Sequence, residues 1–205
     1  MRSSRVFPLI GTPHGVRLSG GVLLELAGVR AGYGAPVVGP ISFSVAWGEV
    51  VGLWGRNGSG KTTLLNAIAG AARVFDGRIV KPESARLAYQ RQNAPPVAGL
   101  PVCAQDLIDL TGAHAECLPA FLRPMLRARL DTLSGGQRQF FQVWACLAAP
   151  ADLVLLDEPT NNLDPRAETA LAEALRSLGP DRAVLLVSHE RDFLDRVCHR
   201  IVEIG

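Results

Sequence analysis

The 205-residue chain lacks the features that mark several specialised classes of protein. Its four cysteines form no CxxC pair, so neither a zinc ribbon nor a disulfide framework is expected. No apolar run approaches the ~20 residues of a membrane-spanning helix. The first residues also lack the ~7–15-residue apolar stretch of a signal peptide. These shortages favour a protein of a reducing compartment that crosses no membrane.

Strong charge of either sign is also missing. The chain has 21 basic and 19 acidic residues, a formal net charge of +2, so a nucleic-acid partner is not expected. Apolar residues make up 48% and charged residues 20%, the balance of an ordinary globular domain with a sizeable core. Lysine is scarce, since only Lys61 and Lys81 occur among many arginines. A function that arginine cannot replace is therefore suggested for at least one of them.

His114 and Cys117 stand three residues apart and could form half of a metal site. No second half is visible elsewhere in the sequence. We therefore expect the four cysteines to be free thiols in or near the core.

Hydrophobic patterning divides the chain into two parts. Residues 1–21 have no periodicity and are predicted to be a loose N-terminal segment. Residues 22–205 are predicted to be one α/β domain that begins with strand-like stretches. Within it, prolines punctuate short helical pieces, including one over 118–130, so a small helical subdomain is expected at about 93–149. The last third alternates strands with helices, which predicts a parallel sheet covered by helices.

A glycine-rich stretch between a buried strand and a helix carries the clearest chemistry. It matches GxxxxGK[ST], in which backbone N–H groups and the helix N-terminus cradle phosphate oxygens. Lys61 would bring a compact positive charge to the outer phosphates, and the Thr62 hydroxyl would bind Mg²⁺. The predicted phosphate-binding residues are Gly55, Arg56, Asn57, Gly58, Ser59, Gly60, Lys61, Thr62 and Thr63.

Two carboxylates follow the apolar strand that begins at Leu153. Parallel strands end at one edge of a sheet, so Asp157 and Glu158 are expected beside the phosphate loop. Asp157 would help to hold Mg²⁺, and Glu158 would polarise a water for attack on a γ-phosphate.

A third motif, Leu133-Ser134-Gly135-Gly136-Gln137, opens a helix with Ser134 as its expected N-cap. Together the three motifs resemble those of ATP-binding-cassette (ABC) ATPases, in which LSGGQ is the family signature, and they occur in the family's order over about residues 22–205. The resemblance implies a P-loop NTPase fold with a mainly parallel sheet, an N-terminal antiparallel β subdomain and a small helical subdomain. It also implies ATP and Mg²⁺ as cofactors.

The resemblance assigns roles to further residues. Tyr33 matches the adenine-stacking aromatic, Asp164 ends the D-loop Asn161–Asp164, and His189 matches the switch histidine. Gln92 matches the glutamine-loop residue, although Gln90 is an alternative. In this reading Glu158, His189, Gln92 and Lys61 are catalytic. Thr62, Gln92 and Asp157 hold the metal, and residues 134–137 bind nucleotide.

The residues after the signature depart from the family pattern. Phe140, Phe141, Gln142, Val143 and Trp144 stand where an arginine and small aliphatic residues are usual. We expect these side chains to repack the signature helix without removing the anion site.

The resemblance further implies assembly with other proteins. Two such domains would close head to tail around two nucleotides, and transmembrane permease subunits and an extracytoplasmic solute-binding protein would complete the system. The protein is then expected in the cytoplasm, attached to the inner face of the membrane through its permease.

Three versions of this function remain open. The stretch from Gln92 to Val102 and the compact length look most like zinc or manganese importers. Haem-exporter cassettes are a second option. A soluble translation factor of the ABC-F type is suggested by residues 160–164 and 187–197, although that class carries two cassettes joined by a charged linker. The sequence does not identify the transported substrate.

Overall fold

The computed structural model describes residues 21–92 and 102–205. The predicted loose segment lies outside the described residues except for Gly21. The start of the predicted helical subdomain, residues 93–101, lies outside them as well.

The first sheet is antiparallel and three-stranded. It contains β1 (Val22–Gly32), β2 (Pro36–Ala46) and β4 (Arg73–Val80), in the order β2-β1-β4. Both pairings contain register shifts, which are typical of bulged, strongly twisted strands. This sheet is the N-terminal antiparallel unit that the sequence predicts.

The second sheet is parallel, in the order β5-β6-β7-β3-β8. Its strands are short apolar runs, and β6 and β7 are buried at every position. The mixed α/β fold with a parallel core is therefore confirmed. The strands are β3 (Val50–Trp54), β5 (Leu87–Gln90), β6 (Leu153–Asp157), β7 (Ala183–Val187) and β8 (Arg200–Glu203).

Five α-helices lie in the described residues. Three are α1 (Lys61–Ile68), α4 (Pro165–Arg176) and α5 (Arg191–Val197), which follow β3, β6 and β7. The other two, α2 (Ala104–Leu110) and α3 (Gly135–Ala148), come between β5 and β6. Ser134 is the N-cap of α3, as expected, because its hydroxyl accepts a hydrogen bond from the backbone N–H of Gln137 at 3.2 Å.

Alternate residues of the parallel strands enter two different cores. On β6, Val154 and Leu156 pack with α2–α5, whereas Leu153 and Leu155 pack with α1 and the antiparallel sheet. Successive side chains of a strand point to opposite faces, so one apolar strand serves both layers. The parallel sheet is therefore the central layer, and its strand ends are held from both sides.

The expectation of a helix over 118–130 is wrong in detail. That stretch contains a single 3₁₀ turn at Arg123–Met125, and another 3₁₀ turn follows at Leu130–Thr132. Proline lacks an N–H and disfavours a helical conformation in the residue before it, so Pro119 and Pro124 prevent a continuous α-helix.

Two aromatic residues after the signature, Phe140 and Trp144, pack α3 against the stretch before it. The Phe140 ring stacks on Phe121 with centroids 5.8 Å apart, and Trp144 meets Phe140 edge-on at 5.5 Å. The Trp144 indole donates a 2.6 Å hydrogen bond to the Cys117 carbonyl. These contacts tie α3 to the irregular stretch that precedes it. None of the helices in the two described stretches has the length and hydropathy needed to cross a bilayer.

Candidate functional site

The candidate site lies at the carboxyl ends of three neighbouring strands. In the sheet, β7 lies between β6 and β3, and each of the three ends in a loop that carries polar residues. The loop after β3 holds the glycine-rich stretch. Asp157 ends β6 and Glu158 follows it, and Ser188 and His189 follow β7. Side chains far apart in the sequence are brought together at one edge because the strands are parallel.

The backbone of the phosphate loop needs glycine at specific positions. Gly58 and Gly60 have φ of 82° and 91°, in the left-handed region that other residues rarely adopt. A Cβ on Gly55 would lie 2.1 Å from the carbonyl oxygen of Ile204, and one on Gly60 would lie 2.6 Å from the Cβ of Val38. The loop is therefore packed tightly between β2 and the end of the chain.

Lys61 begins α1 and is buried, with 6% of its surface exposed. Its ammonium donates hydrogen bonds to the carbonyl oxygens of Gly55 (2.8 Å) and Arg56 (2.9 Å). An ammonium has three donors, so one remains for a phosphate oxygen. The cation is thereby held at the mouth of the loop, where it would otherwise be costly to bury.

Thr62 and Asp157 meet across the base of the loop. The Thr62 hydroxyl donates to Oδ1 of Asp157 at 3.1 Å, and the Asp157 side chain is fully buried. Within the described residues, Oδ2 of Asp157 has no hydrogen-bond partner. A buried carboxylate oxygen without a partner beside a threonine hydroxyl is a donor set that suits a hard divalent cation such as Mg²⁺.

Burial raises the pKa of Asp157 from 3.8 to about 6. The Thr62 hydrogen bond and the Lys61 charge oppose the rise, and the Glu158 charge adds to it. The direction follows from desolvation, which disfavours the charged carboxylate. A cation at Oδ2 would restore the charged form.

Glu158 is buried and is bonded to His189. Its Oε2 atom lies 2.8 Å from Nδ1 of His189 and accepts a second hydrogen bond from the His189 backbone N–H at 3.2 Å. Neither bond uses Oε1. Glu158 also has φ of 51°, a left-handed conformation unusual for a residue other than glycine. Such a conformation persists only where the surroundings hold it in place.

These groups surround a cleft of about 510 Å³. Its lining includes six of the nine residues predicted for the phosphate loop, together with Gln92, Glu158 and His189. Sequence reasoning missed three of the lining residues. Asn161 stands within the motif cited for the D-loop, whereas Val37 on β2 and Val187 on β7 are apolar strand residues with no sequence signal for this site. The lining residues are Val37, Asn57, Gly58, Gly60, Lys61, Thr62, Thr63, Gln92, Glu158, Asn161, Val187 and His189.

The two candidate glutamines occupy different environments. Gln90 is buried; its Oε1 accepts a 3.2 Å hydrogen bond from the Asp157 backbone N–H, and its Nε2 donates to the Arg91 carbonyl. Gln92 is exposed and lines the cleft. The amide of Gln90 is therefore engaged in holding β6, whereas Gln92 faces the space that a nucleotide would enter.

The signature residues line a different cavity, of about 500 Å³. Ser134, Gly136 and Gln137 face it together with Asp164 and Phe121. Of the residues that the structure describes, no signature residue lines the phosphate-loop cleft. The phosphate-loop cleft and the signature cavity are therefore two separate places in one chain.

Two further predicted residues lie apart from the cleft. Asp164 is the N-cap of α4, where its Oδ1 accepts a 2.7 Å hydrogen bond from the Ala167 N–H. Tyr33 is 58% exposed in the turn between β1 and β2, and its hydroxyl accepts a 2.8 Å hydrogen bond from Asn66 on α1. Its ring does not line the cleft.

The His114 and Cys117 pair finds no further ligands. Over residues 21–92 and 102–205, no group of three or more His, Cys, Asp or Glu side chains is placed to hold a metal ion. Cys117 is buried, and all four cysteines are free thiols.

Comparisons with known proteins agree with this geometry. Residues 38–161 match the ABC transporter family model. The chain is 34% identical over 189 residues to a zinc import ATP-binding protein, ZnuC, of Roseobacter denitrificans, covering 88% of this chain and 74% of that protein. It is 33% identical over 208 residues to the energy-dependent translational throttle protein EttA of Mycobacterium tuberculosis, covering 96% of this chain but 37% of that protein.

A solved structure described as the ATP binding subunit of an ABC transporter superimposes with a TM-score of 0.75 at 25% identity. The superposition covers 89% of this chain and 86% of that one. The chain therefore belongs to the ABC transporter family, and it is an ATP-binding ATPase subunit of that family.

Proposed function

We propose that the chain hydrolyses ATP with Mg²⁺ in a head-to-tail pair of cassettes and thereby drives metal-ion import through separate permease subunits. The observation that carries the pairing is the separation of the phosphate-loop cleft from the signature cavity. Neither place alone surrounds a nucleotide, whereas two chains placed head to tail would join one of each.

In this proposal the phosphate loop, residues 55–63, binds the phosphates, and Lys61 contacts the outer ones. Glu158 accepts the proton of the attacking water through its carboxylate, and His189 orients that carboxylate through the 2.8 Å contact. Tyr33 stacks on the adenine. Gln92 contacts the metal ion beside the γ-phosphate. Gln90 is the alternative, but its side chain is buried and already bonded to the Asp157 backbone, which disfavours it.

The residues present fit a magnesium ion. The Thr62 hydroxyl, the unpartnered Oδ2 of Asp157 and the Gln92 amide would hold it. Mg²⁺ neutralises charge on the β- and γ-phosphates when it is bound. We expect hydrolysis to cease when EDTA removes divalent cations, and to resume when excess MgCl₂ is added.

The pairing is tested with a variant that binds ATP without hydrolysing it. Glu158→Gln keeps the shape of the site but removes the carboxylate, so ATP-bound pairs should accumulate. Light scattering of this variant should give the monomer mass without ATP and twice that mass with ATP. A monomer at saturating ATP would contradict the proposed pair.

Testing the role of the signature residues requires a substitution that does not disturb the fold of the chain itself. Gly136→Asp is unsuitable, since a Cβ there would lie 2.1 Å from the carbonyl oxygen of Asn162 in the same chain. Gly135 has open space around its Cβ position, so Gly135→Asp should fold. It would place a carboxylate against the partner's γ-phosphate and should abolish ATP-dependent pairing in the Glu158→Gln background. Pairs that persist with Gly135→Asp would contradict the role of the signature.

We further infer that the transported substrate is zinc, which the name of the ZnuC relative supports. A permease and an extracytoplasmic solute-binding protein would complete the system, and the chain would act at the cytoplasmic face of the membrane. Deleting the gene in its host should impair growth in chelator-treated medium. Added zinc or the wild-type gene should restore growth, whereas a gene carrying Glu158→Gln should not.

A translation factor is the second candidate, favoured by the match to EttA over 96% of this chain. The two candidate functions, transport and translation, predict different effects of deleting the gene. A translation factor should co-sediment with ribosomes when Glu158→Gln traps ATP, and its deletion should not be relieved by zinc. Ribosome co-sedimentation without a zinc phenotype would favour this second candidate over transport.

A further inference from the structure

One face of the signature helix supports the loop that begins with Glu158. Gly136 and Gln139 are three residues apart on α3 and therefore lie on the same side of the helix. Gly136 meets the carbonyl of Asn162, and Gln139 meets the carbonyl of Glu158. The helix therefore contacts the loop of residues 158–162 at its first and its last residue.

The contact at Gly136 is one of backbone against backbone. A Cβ at this position would stand 2.1 Å from the Asn162 carbonyl oxygen, so the loop lies directly on the helix. Gly135, one residue earlier, has no neighbour within 4 Å of its Cβ position. At the start of α3, the loop therefore approaches the side that carries Gln139 and not the side of Gly135.

The contact at Gln139 is a hydrogen bond to the candidate catalytic residue. Its Nε2 donates to the Glu158 carbonyl oxygen at 3.3 Å, and the side chain is half-buried. Glu158 has its backbone N–H bonded to Val187 and its Oε2 bonded to His189. Gln139 thus adds a further hydrogen bond that holds Glu158, and this bond comes from α3.

The loop between these contacts needs such support. Glu158 and Asn162 both have left-handed backbones, with φ of 51° and 61°. Each such conformation in a residue other than glycine is costly and persists where neighbours hold it. Without the Gln139 bond, the Glu158 carbonyl keeps only the 3.3 Å hydrogen bond from the Asn161 N–H within the same loop, so we expect the Glu158 backbone and carboxylate to shift relative to the cleft.

We propose that Gln139 is a positioning residue that orients the Glu158 carboxylate and links it to the signature helix. The link rests on the proposed function, in which the signature of one chain binds the nucleotide of its partner. Under that arrangement, α3 carries the state of the partner's site through Gln139 to the carboxylate of its own site.

Three substitutions separate this role from simple packing. Gln139→Met keeps the length of the side chain without the donor, Gln139→Glu places an acceptor against the carbonyl, and Gln139→Lys restores a donor. We expect the kcat for ATP to fall about tenfold in the first two variants and to recover in the third. The KM should stay within about twofold, because the phosphate loop is untouched.

Gln105→Met is the matched control, since Gln105 is a half-buried helix glutamine whose side chain bonds to Asp109 on the same helix. It should leave kcat and the melting temperature unchanged. In the Glu158→Gln background, Gln139→Met should lower the residual rate no further, because both changes act through the same carboxylate. An unchanged kcat in Gln139→Met overturns the proposal. A loss of kcat and melting temperature together, with no recovery in Gln139→Lys, also overturns it.

The same assays separate this inference from the proposed function. If Glu158→Gln retains the wild-type rate, the proposed function itself fails. If Glu158→Gln is inactive while Gln139→Met matches the wild type, only the role of Gln139 fails.

Discussion

His189 holds Oε2 of Glu158 by two hydrogen bonds, one from its ring at 2.8 Å and one from its backbone N–H at 3.2 Å. The two residues come from neighbouring strand ends, since Glu158 follows β6 and His189 follows β7. A substitution at His189 can remove the ring contact but leaves the backbone one. The carboxylate would therefore be loosened without losing its place in the cleft.

We accordingly expect His189→Ala to lower kcat by about tenfold or more while the KM for ATP changes little. In the proposed function the ring orients the carboxylate that acts on water, whereas the phosphate loop binds the nucleotide. Steady-state ATP hydrolysis over a range of ATP concentrations measures both constants. A rise in KM with an unchanged kcat would assign His189 to binding instead.

Lys61→Ala should abolish ATP binding or turnover, because it removes the cation that the Gly55 and Arg56 carbonyls hold at the mouth of the loop. The matched control is Lys81→Ala, at the other lysine of the chain, which is exposed. Isothermal titration with ATP compares the two variants. Wild-type affinity and hydrolysis in Lys61→Ala would show that the phosphate loop is wrongly assigned.

Asp157 should make the nucleotide-free protein less stable as pH rises. Burial raises its pKa from 3.8 to about 6, so in that window the folded protein holds a proton that the unfolded chain has released. The unfolded state binds fewer protons, and the free energy of unfolding therefore falls as pH increases through the window. Asp157→Asn removes the titrating group.

Urea unfolding without Mg²⁺ or ATP measures this effect. The stability of Asp157→Asn relative to the wild type should grow from about pH 4 to about pH 7. Asp109→Asn, at an exposed carboxylate of α2, serves as the control. A difference between Asp157→Asn and the wild type that is constant with pH would contradict the raised pKa.

Two neighbouring glycines should respond differently to alanine. Gly136→Ala forces a Cβ to 2.1 Å from the Asn162 carbonyl and should destabilise the fold by about 1–3 kcal/mol. Gly135→Ala meets open space and should be neutral or slightly stabilising, because alanine favours the helix. Urea unfolding gives both values. Equal stabilities would mean that the loop does not rest on α3.

Tyr33→Ala should weaken ATP binding without abolishing it, since stacking of a base on an aromatic ring is worth about 1–3 kcal/mol. Tyr33→Phe separates the ring from its hydroxyl, which is bonded to Asn66. It should bind ATP nearly as well as the wild type. Calorimetric titration that finds no change in Tyr33→Ala would remove the ring from the nucleotide site.

The local motifs could be predicted from the sequence because their chemistry depends on adjacent residues. The glycines and Lys61 must follow one another for a loop to wrap a phosphate, and an apolar strand must precede Asp157 for the carboxylate to reach a sheet edge. The Ser134 cap was readable for the same reason, as its partner Gln137 is three residues away. Strand and helix alternation in the last third likewise predicted the parallel sheet.

Proline chemistry limited the prediction over 118–130, where helix-like composition yields only a 3₁₀ turn. Val37 was missed as a lining residue because nothing local distinguishes it from other apolar strand residues. The difference between Gln90 and Gln92 was also not decided by composition. The pleat of β5 and its neighbour β6 place Gln90 inside, where it bonds to the Asp157 backbone.

The order of the motifs, the strand and helix pattern and the chemistry of the phosphate loop follow from the amino-acid sequence, since each depends on residues close along the chain. Which distant groups meet depends on how the chain packs in three dimensions. This packing places His189 on Glu158, rests the Asn162 carbonyl on Gly136, and brings Gln139 to the Glu158 backbone. These contacts arise from the packing of separate strand ends and one helix face, and short-range sequence patterns do not encode such distances.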